Sequence, residues 1–192
     1  MPEILKEKIV FKDTLTLEEA DLKDGKHTFK RMRVNREDGA AVLVYNTETN
    51  KVILTKQFRY AILKQAKEEI VEVLAGKVEK GLSPEETAVK ETKEEIGYKI
   101  EKSALVHICS VFISPGYTSE RLHLYYTEVT NAQHVAEGGG LEHENEDIQI
   151  VEMPLESFFQ KLQSMELSDA KTVMAGQWLI NKRSPRDIPS PH

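Results

Sequence analysis

The chain has 192 residues, 40% hydrophobic and 30% charged, a balance that fits one sizeable folded domain and excludes a disordered chain. Its formal net charge of −6 argues against a nucleic acid polymer as the main partner, because phosphate backbones need a basic surface, yet it leaves room for a nucleotide. No apolar run approaches the roughly 20 residues of a membrane span, the start MPEILKEKIVF does not resemble a signal peptide, and a single cysteine cannot form an internal disulfide; the expectation is a cytoplasmic protein without a membrane partner.

Residues 1–36 read as a separate β-rich region. TLTLEEADL and HTFKRMRVN flank Asp24-Gly25, a strong hairpin signal, and Phe29, Met32 and Val34 suggest a partly apolar face. From Gly39 onward, AAVLVYN and KVILTKQF predict a hairpin across the polar turn TETN, and EEIVEVLAG a further strand. A helix should then begin at Ser83, with Ser83 as N-cap, Pro84 at the first helical position and Glu86 closing a capping box. Gly97 supplies its left-handed stop. SALVHICSVF and RLHLYYTEV are strands split by SPGYTSE, with Cys109 expected as a small hydrophobe in a buried strand. DIQIVEM is another strand. LESFFQKLQSM carries Leu155, Phe158, Phe159 and Leu162 at helical spacing, and a last helix, roughly Asp169 to Asn181, carries Val173, Trp178 and Leu179, with Trp178 in the core. The tail KRSPRDIPSPH reads as frayed.

The chemistry is concentrated in GKVEKGLSPEETAVKETKEEIGY, residues 76–98. Glu91, Glu94 and Glu95 lie three and four residues apart and so project from one side of the predicted helix. Like charges at that spacing repel by a few tenths of a kcal/mol per pair (roughly 0.2–0.5), and a hard divalent cation removes the penalty. The competing reading is a solvated helix face neutralised by Lys90 and Lys93. Gly76 and Gly81, in the turn before the helix, let the backbone approach a ligand closely.

Gly76, Glu91, Glu94, Glu95 and Gly97 resemble the Nudix box, G-x5-E-x7-R-E-U-x-E-E-x-G-U, where U is a bulky aliphatic residue. Leu82 stands where that family has Glu, Lys90 where it has Arg, Thr92 where it has an aliphatic residue, and Tyr98 fills the last position. The family's Glu and Arg at the first two of these positions resemble a structural pair tying loop to helix. Changing both partners can be nearly neutral where losing one is costly, and a lysine stem can lie on apolar surface with its ammonium in water.

The resemblance implies an α/β/α sandwich with a mixed sheet over residues 37–192, preceded by a small N-terminal antiparallel β-sheet over residues 1–36 that forms a homodimer, with packing of that sheet on its own catalytic domain the open alternative. It implies Mg²⁺, with Mn²⁺ as substitute, held by Glu91 and Glu95, with Glu94 assisting and the main-chain carbonyl of Ala75 completing the site. Arg59 in KQFR and Glu72 in EVLAG match substrate-recognition positions, and Glu120 in SPGYTSE matches a cleft residue; a surface salt bridge for Arg59 and a plain turn at Pro115-Gly116 remain open. GGGLEHENEDI, residues 138–148, is expected to be a mobile, acidic loop. Its ENEDI part is similar to the loop of ADP-sugar and GDP-sugar pyrophosphatases that supplies a catalytic glutamate, which makes Glu144 the general base and Glu146 a metal ligand or alternative base. The implied activity is metal-dependent hydrolysis of a nucleoside diphosphate sugar, GDP-mannose or ADP-ribose, to a nucleoside monophosphate and a sugar phosphate. Leu82 keeps a rival open, an impaired Nudix domain that binds nucleotide sugars as a sensor.

Overall fold

Alternation along one strand sets the layering of the molecule. In the computed structural model, which describes residues 1–65, 68–140 and 148–183, strand β4 (Gly39–Asn46) is buried at every position. Successive side chains on a strand point to opposite faces. Accordingly Ala41, Leu43 and Tyr45 join one apolar cluster and Ala40, Val42 and Val44 join another. The first cluster is covered by α2 (Leu155–Gln163) and α3 (Ala170–Lys182), the second by α1 (Pro84–Ile96). The result is a sheet between helical layers, as expected.

That sheet has seven strands. Its main path runs β10 (Gln149–Pro154), β5 (Lys51–Gln57), β4, β9 (Arg121–Val129) and β8 (Val106–Phe112). β4 and β9 are parallel, whereas β4 with β5, β8 with β9 and β10 with β5 are antiparallel, so the sheet is mixed. The TETN hairpin closes with Asn46 opposite Lys51. EEIVEVLAG, read as one strand, is two. β6 (Ile70–Glu72) pairs with β5, and after Val73 the chain moves over so that β7 (Leu74–Lys77) pairs with β4. The switch delivers Glu72 and Ala75 to neighbouring positions from different strand partners.

β8 is the edge strand on its side, so the expectation of a buried strand there is corrected. Val106 and Phe112 are exposed, and Cys109 is half-buried against the core. The helical periodicity of LESFFQKLQSM is realised: Leu155, Phe158, Phe159 and Leu162 are all buried in α2. Trp178 packs at the core's margin, its ring 5.2 Å from that of Tyr126.

The N-terminal sheet has three strands, β1 (Glu3–Lys12), β2 (Thr16–Asp24) and β3 (His27–Asn35), in antiparallel order. The hairpin at Asp24-Gly25 is as predicted, with Asp24 opposite His27 and Gly25 at φ 58°. β1, with its mixed acids and lysines, was not anticipated. Nor do Phe29, Met32 and Val34 share a face: the period of two puts Phe29 opposite to Met32 and Val34. Among the described residues no helix is long and apolar enough to cross a membrane.

Candidate active site

The helix α1 forms as its sequence dictates. Ser83 Oγ accepts from the Glu86 N–H at 3.2 Å, and the Glu86 carboxylate accepts from the Ser83 N–H at 2.7 Å. Gly97 ends the helix at φ 76°. Lys102 and the Ser83 amide together lower the Glu86 pKa to about 2.

On this helix Glu91 is half-buried and Glu95 is buried at 2% exposure. A Cβ at Gly76 would lie 2.1 Å from Glu91 Oε1, so only glycine lets the β7 backbone and that carboxylate approach each other this closely. Ala75 precedes Gly76 in β7, and both line a cavity of about 260 Å³. The donor set is therefore carboxylate and main-chain oxygen, the hard ligands that Mg²⁺ and Mn²⁺ take. Among the described residues no three acidic, imidazole or thiol side chains close into a metal cage. A cation here would be shared between the helix and substrate phosphates, the usual arrangement for Mg²⁺. Glu94 faces a different neighbour, with its Oε2 3.5 Å from Lys90 Nζ.

Arg59, Glu72 and Glu120, expected singly, line that same cavity. Glu72 is buried at 3% exposure and accepts a forked contact from Arg59, Nε to Oε1 at 2.7 Å and Nη2 to Oε2 at 3.2 Å. The arginine's salt bridge thus points into the cleft rather than along the outer surface. Burial opposes the Arg59 charge, but Glu72, with Glu95 and Asp169, outweighs it and raises the guanidinium's pKa. Glu120 lies 3.7 Å from Arg36 across the rim.

Sequence reasoning missed Lys171. Its Nζ lies 2.8 Å from Glu72 Oε2 and 2.7 Å from Asp169 Oδ1, which together overcome burial and raise its pKa. Asp169 caps α3 through the Thr172 amide at 2.9 Å, and Thr172 Oγ1 in turn accepts from the Val73 N–H. A lysine in the first turn of a helix runs against the helix dipole, a local irregularity that could have flagged it. Also missed was the link of Asp38 to Arg121 (2.6 Å) and His123 (3.0 Å), which fixes the chain entering β4 at the cavity rim. Burial pushes the Asp38 carboxyl up, but these two partners prevail and hold it below the usual range.

The glycine run at 138–140, expected to be mobile, is held on α1. The Gly139 amide donates to Glu95 O at 2.8 Å and the Gly140 amide to Glu94 O at 3.2 Å, with all three glycines at positive φ. They satisfy carbonyls that the end of a helix leaves open. Glu144 and Glu146 lie outside the described residues. A larger cleft, about 490 Å³, is lined by Lys56, Glu68, Glu69, Lys161 and Glu166 among others and contains none of the expected site residues that the structure describes. Two ion pairs lie along it, Lys56 with Glu69 and Lys161 with Glu166.

The family profile described as NUDIX domain matches residues 35–175. The chain belongs to the NUDIX family. As a Nudix protein it is 35% identical over 184 residues to a GDP-mannose pyrophosphatase of Cronobacter sakazakii, covering 92% of this chain and 94% of the relative. It is likewise 35% identical over 170 residues to an ADP-ribose pyrophosphatase of Bacillus subtilis, covering 88% and 86%. A crystal structure described as an ADP compounds hydrolase superposes with a TM-score of 0.74 at 21% identity, over 94% of this chain and 92% of the other, and has the same fold.

Proposed function

We propose that this Nudix protein hydrolyses the pyrophosphate of a nucleoside diphosphate sugar, GDP-mannose or ADP-ribose, to a nucleoside monophosphate and a sugar phosphate. The observation that carries the reading is the packing of the box helix behind the cavity: Glu91 lies against Gly76, and Gly76 lines the cavity together with Arg59 and the Glu72 that holds it. Both pyrophosphatase relatives align over most of the chain.

Glu91 and Glu95, with Glu94 and the Ala75 carbonyl, are assigned to hold a divalent cation, Mg²⁺ or Mn²⁺. When bound, such an ion neutralises phosphate charge and acidifies water. The protein's own groups do the rest. Arg59 gives its Nε–Nη2 edge to Glu72, which fixes its direction and leaves the Nη1 end of the guanidinium for phosphate oxygens. Lys171 adds a second cation beside Glu72. The general base is assigned from sequence to Glu144, with Glu146 the alternative. We further assign the protein to the cytoplasm as a homodimer formed through residues 1–36.

The test is turnover of GDP-mannose, ADP-ribose, other nucleotide sugars and nucleoside triphosphates, with Mg²⁺ and then with EDTA. Metal-dependent release of sugar phosphate is expected from GDP-mannose or ADP-ribose. Leu82 favours a second reading, a sensor that binds without cleaving. Glu91→Gln separates the two: an enzyme loses roughly 10²-fold or more in kcat, whereas a sensor shows no turnover to lose and keeps its ligand.

A further inference from the structure

Two histidines of β8 and β9 meet on one serine. Ser110 Oγ lies 2.9 Å from His107 Nε2 and 2.8 Å from His123 Nδ1, and His123 Nε2 lies 3.0 Å from Asp38 Oδ2. Regular alternation would send His107 and Ser110, three residues apart on β8, to opposite faces. A bulge between His107 and Cys109 absorbs one residue, so that His107 stands opposite Tyr125 and Ser110 opposite His123. Tyr125 and His123 share a face of β9, and the bulge therefore brings both imidazoles and the hydroxyl together.

The direction of each hydrogen bond follows from Asp38. Arg121 holds that carboxylate through Nε at 3.0 Å and Nη2 at 2.6 Å, which keeps it ionised and acceptor-only. His123 Nε2 must then carry the ring proton, and the lone pair is left on Nδ1, facing Ser110. The hydroxyl donates to that nitrogen and accepts from His107 Nε2. His107 is exposed, with its ring braced edge-on by Tyr125 at 5.5 Å. Moving its proton to Nδ1 turns Nε2 into a second lone pair aimed at the same point. Ser110 is exposed as well, and its hydroxyl leaves that point by turning about a single bond.

A ring that gives one N–H to a carboxylate and offers its other nitrogen is held as metal-ligating histidines are held. Imidazole nitrogen suits Zn²⁺, Cu²⁺ and Ni²⁺, whereas Mg²⁺ and Mn²⁺ favour oxygen. We propose that His107 and His123 form a binding site for a borderline-soft divalent transition ion, of which Zn²⁺ is the probe, with Ser110 or water in the remaining positions. Two imidazoles are fewer ligands than a structural zinc site has, so the ion would exchange with solvent. The site shares no residue with the box helix and does not depend on the hydrolytic reading.

The experiment is Zn²⁺ titration of the chelator-treated, full-length protein in excess Mg²⁺, by calorimetry and by competition with a chromogenic zinc chelator. Excess Mg²⁺ occupies oxygen sites and leaves imidazole free. Wild type is expected to take up Zn²⁺. His107→Ala and His123→Ala should each weaken uptake by roughly ten-fold or more, Asp38→Asn by roughly ten-fold through His123, and Ser110→Ala by no more than about three-fold. His107 lies at the surface, so its variant should keep the melting temperature of wild type; if His123→Ala unfolds, His107→Ala decides alone. Uptake unchanged in His107→Ala would place the ion elsewhere, and uptake abolished by Mg²⁺ would place it among carboxylates. Either result overturns the proposal, as does a wild type that takes up no Zn²⁺.

Discussion

Gly76 shows how a single residue can matter through what it lacks. The Glu91 carboxylate occupies the space where any other residue would carry a Cβ. Gly76→Ala must therefore displace Glu91, since the clash at 2.1 Å falls on the carboxylate end of the side chain. Supporting groups around a metal typically set affinity within a range of 10–100-fold. The expected outcome is a loss of Mn²⁺ affinity in roughly that range with the fold retained, read by titration calorimetry alongside circular dichroism. Much of this was legible in the sequence, because the box fixes Gly76, Glu91, Glu94 and Glu95 at set spacing. Lys171 was not, since its partner Glu72 lies 99 residues away and only the finished fold brings them together. The pairing of Glu79 with Lys90, at 2.7 Å, escaped for a different reason: Glu79 stands three residues before the box position where the family has its Glu, and the pair depends on how the turn before α1 closes.

At the level of elements, what local chemistry determines was readable and what neighbours determine was not. The capping box, the TETN turn and the Asp24-Gly25 hairpin each depend on a few adjacent residues, and each forms as read. The partner switch at Val73 depends on which strands lie alongside, and a continuous apolar run conceals it. Likewise β8 looks apolar enough for the interior but closes the sheet at its edge. The start of α1 also carries a pH dependence. Glu86 falls from an ordinary 4.5 to about 2 in the folded chain, so its carboxylate stabilises the fold above pH 4.5 and loses that contribution as pH falls towards 2. Glu86→Gln keeps an acceptor for the Ser83 amide while removing the charge. Urea midpoints of wild type and variant should therefore differ at about pH 7, draw together below pH 4.5 and converge only as pH approaches about 2. A gap that stays constant over that range would show that the charge contributes nothing.

At the scale of the whole molecule, the N-terminal sheet leaves Ile4, Leu5, Ile9, Val10, Phe11 and Met32 exposed. Every residue of β1 is exposed, including Ile4, Ile9 and Phe11, which leaves large apolar side chains in water. A second copy would cover them. The full chain is expected to elute at the mass of two chains in size-exclusion chromatography with light scattering, and Ile9→Glu to shift it to one. Unchanged mass in the variant would place the contact elsewhere. The sheet is joined to the turn at Tyr117 and Ser119 through Val34. Val34 donates to Tyr117 O at 2.7 Å and accepts from the Ser119 amide at 3.1 Å, and two residues later Arg36 faces Glu120 on the cavity rim. One short run, residues 34–36, thus serves two purposes at once: Val34 joins the N-terminal sheet to the turn at Tyr117 and Ser119, and Arg36 stands at the rim of the cavity.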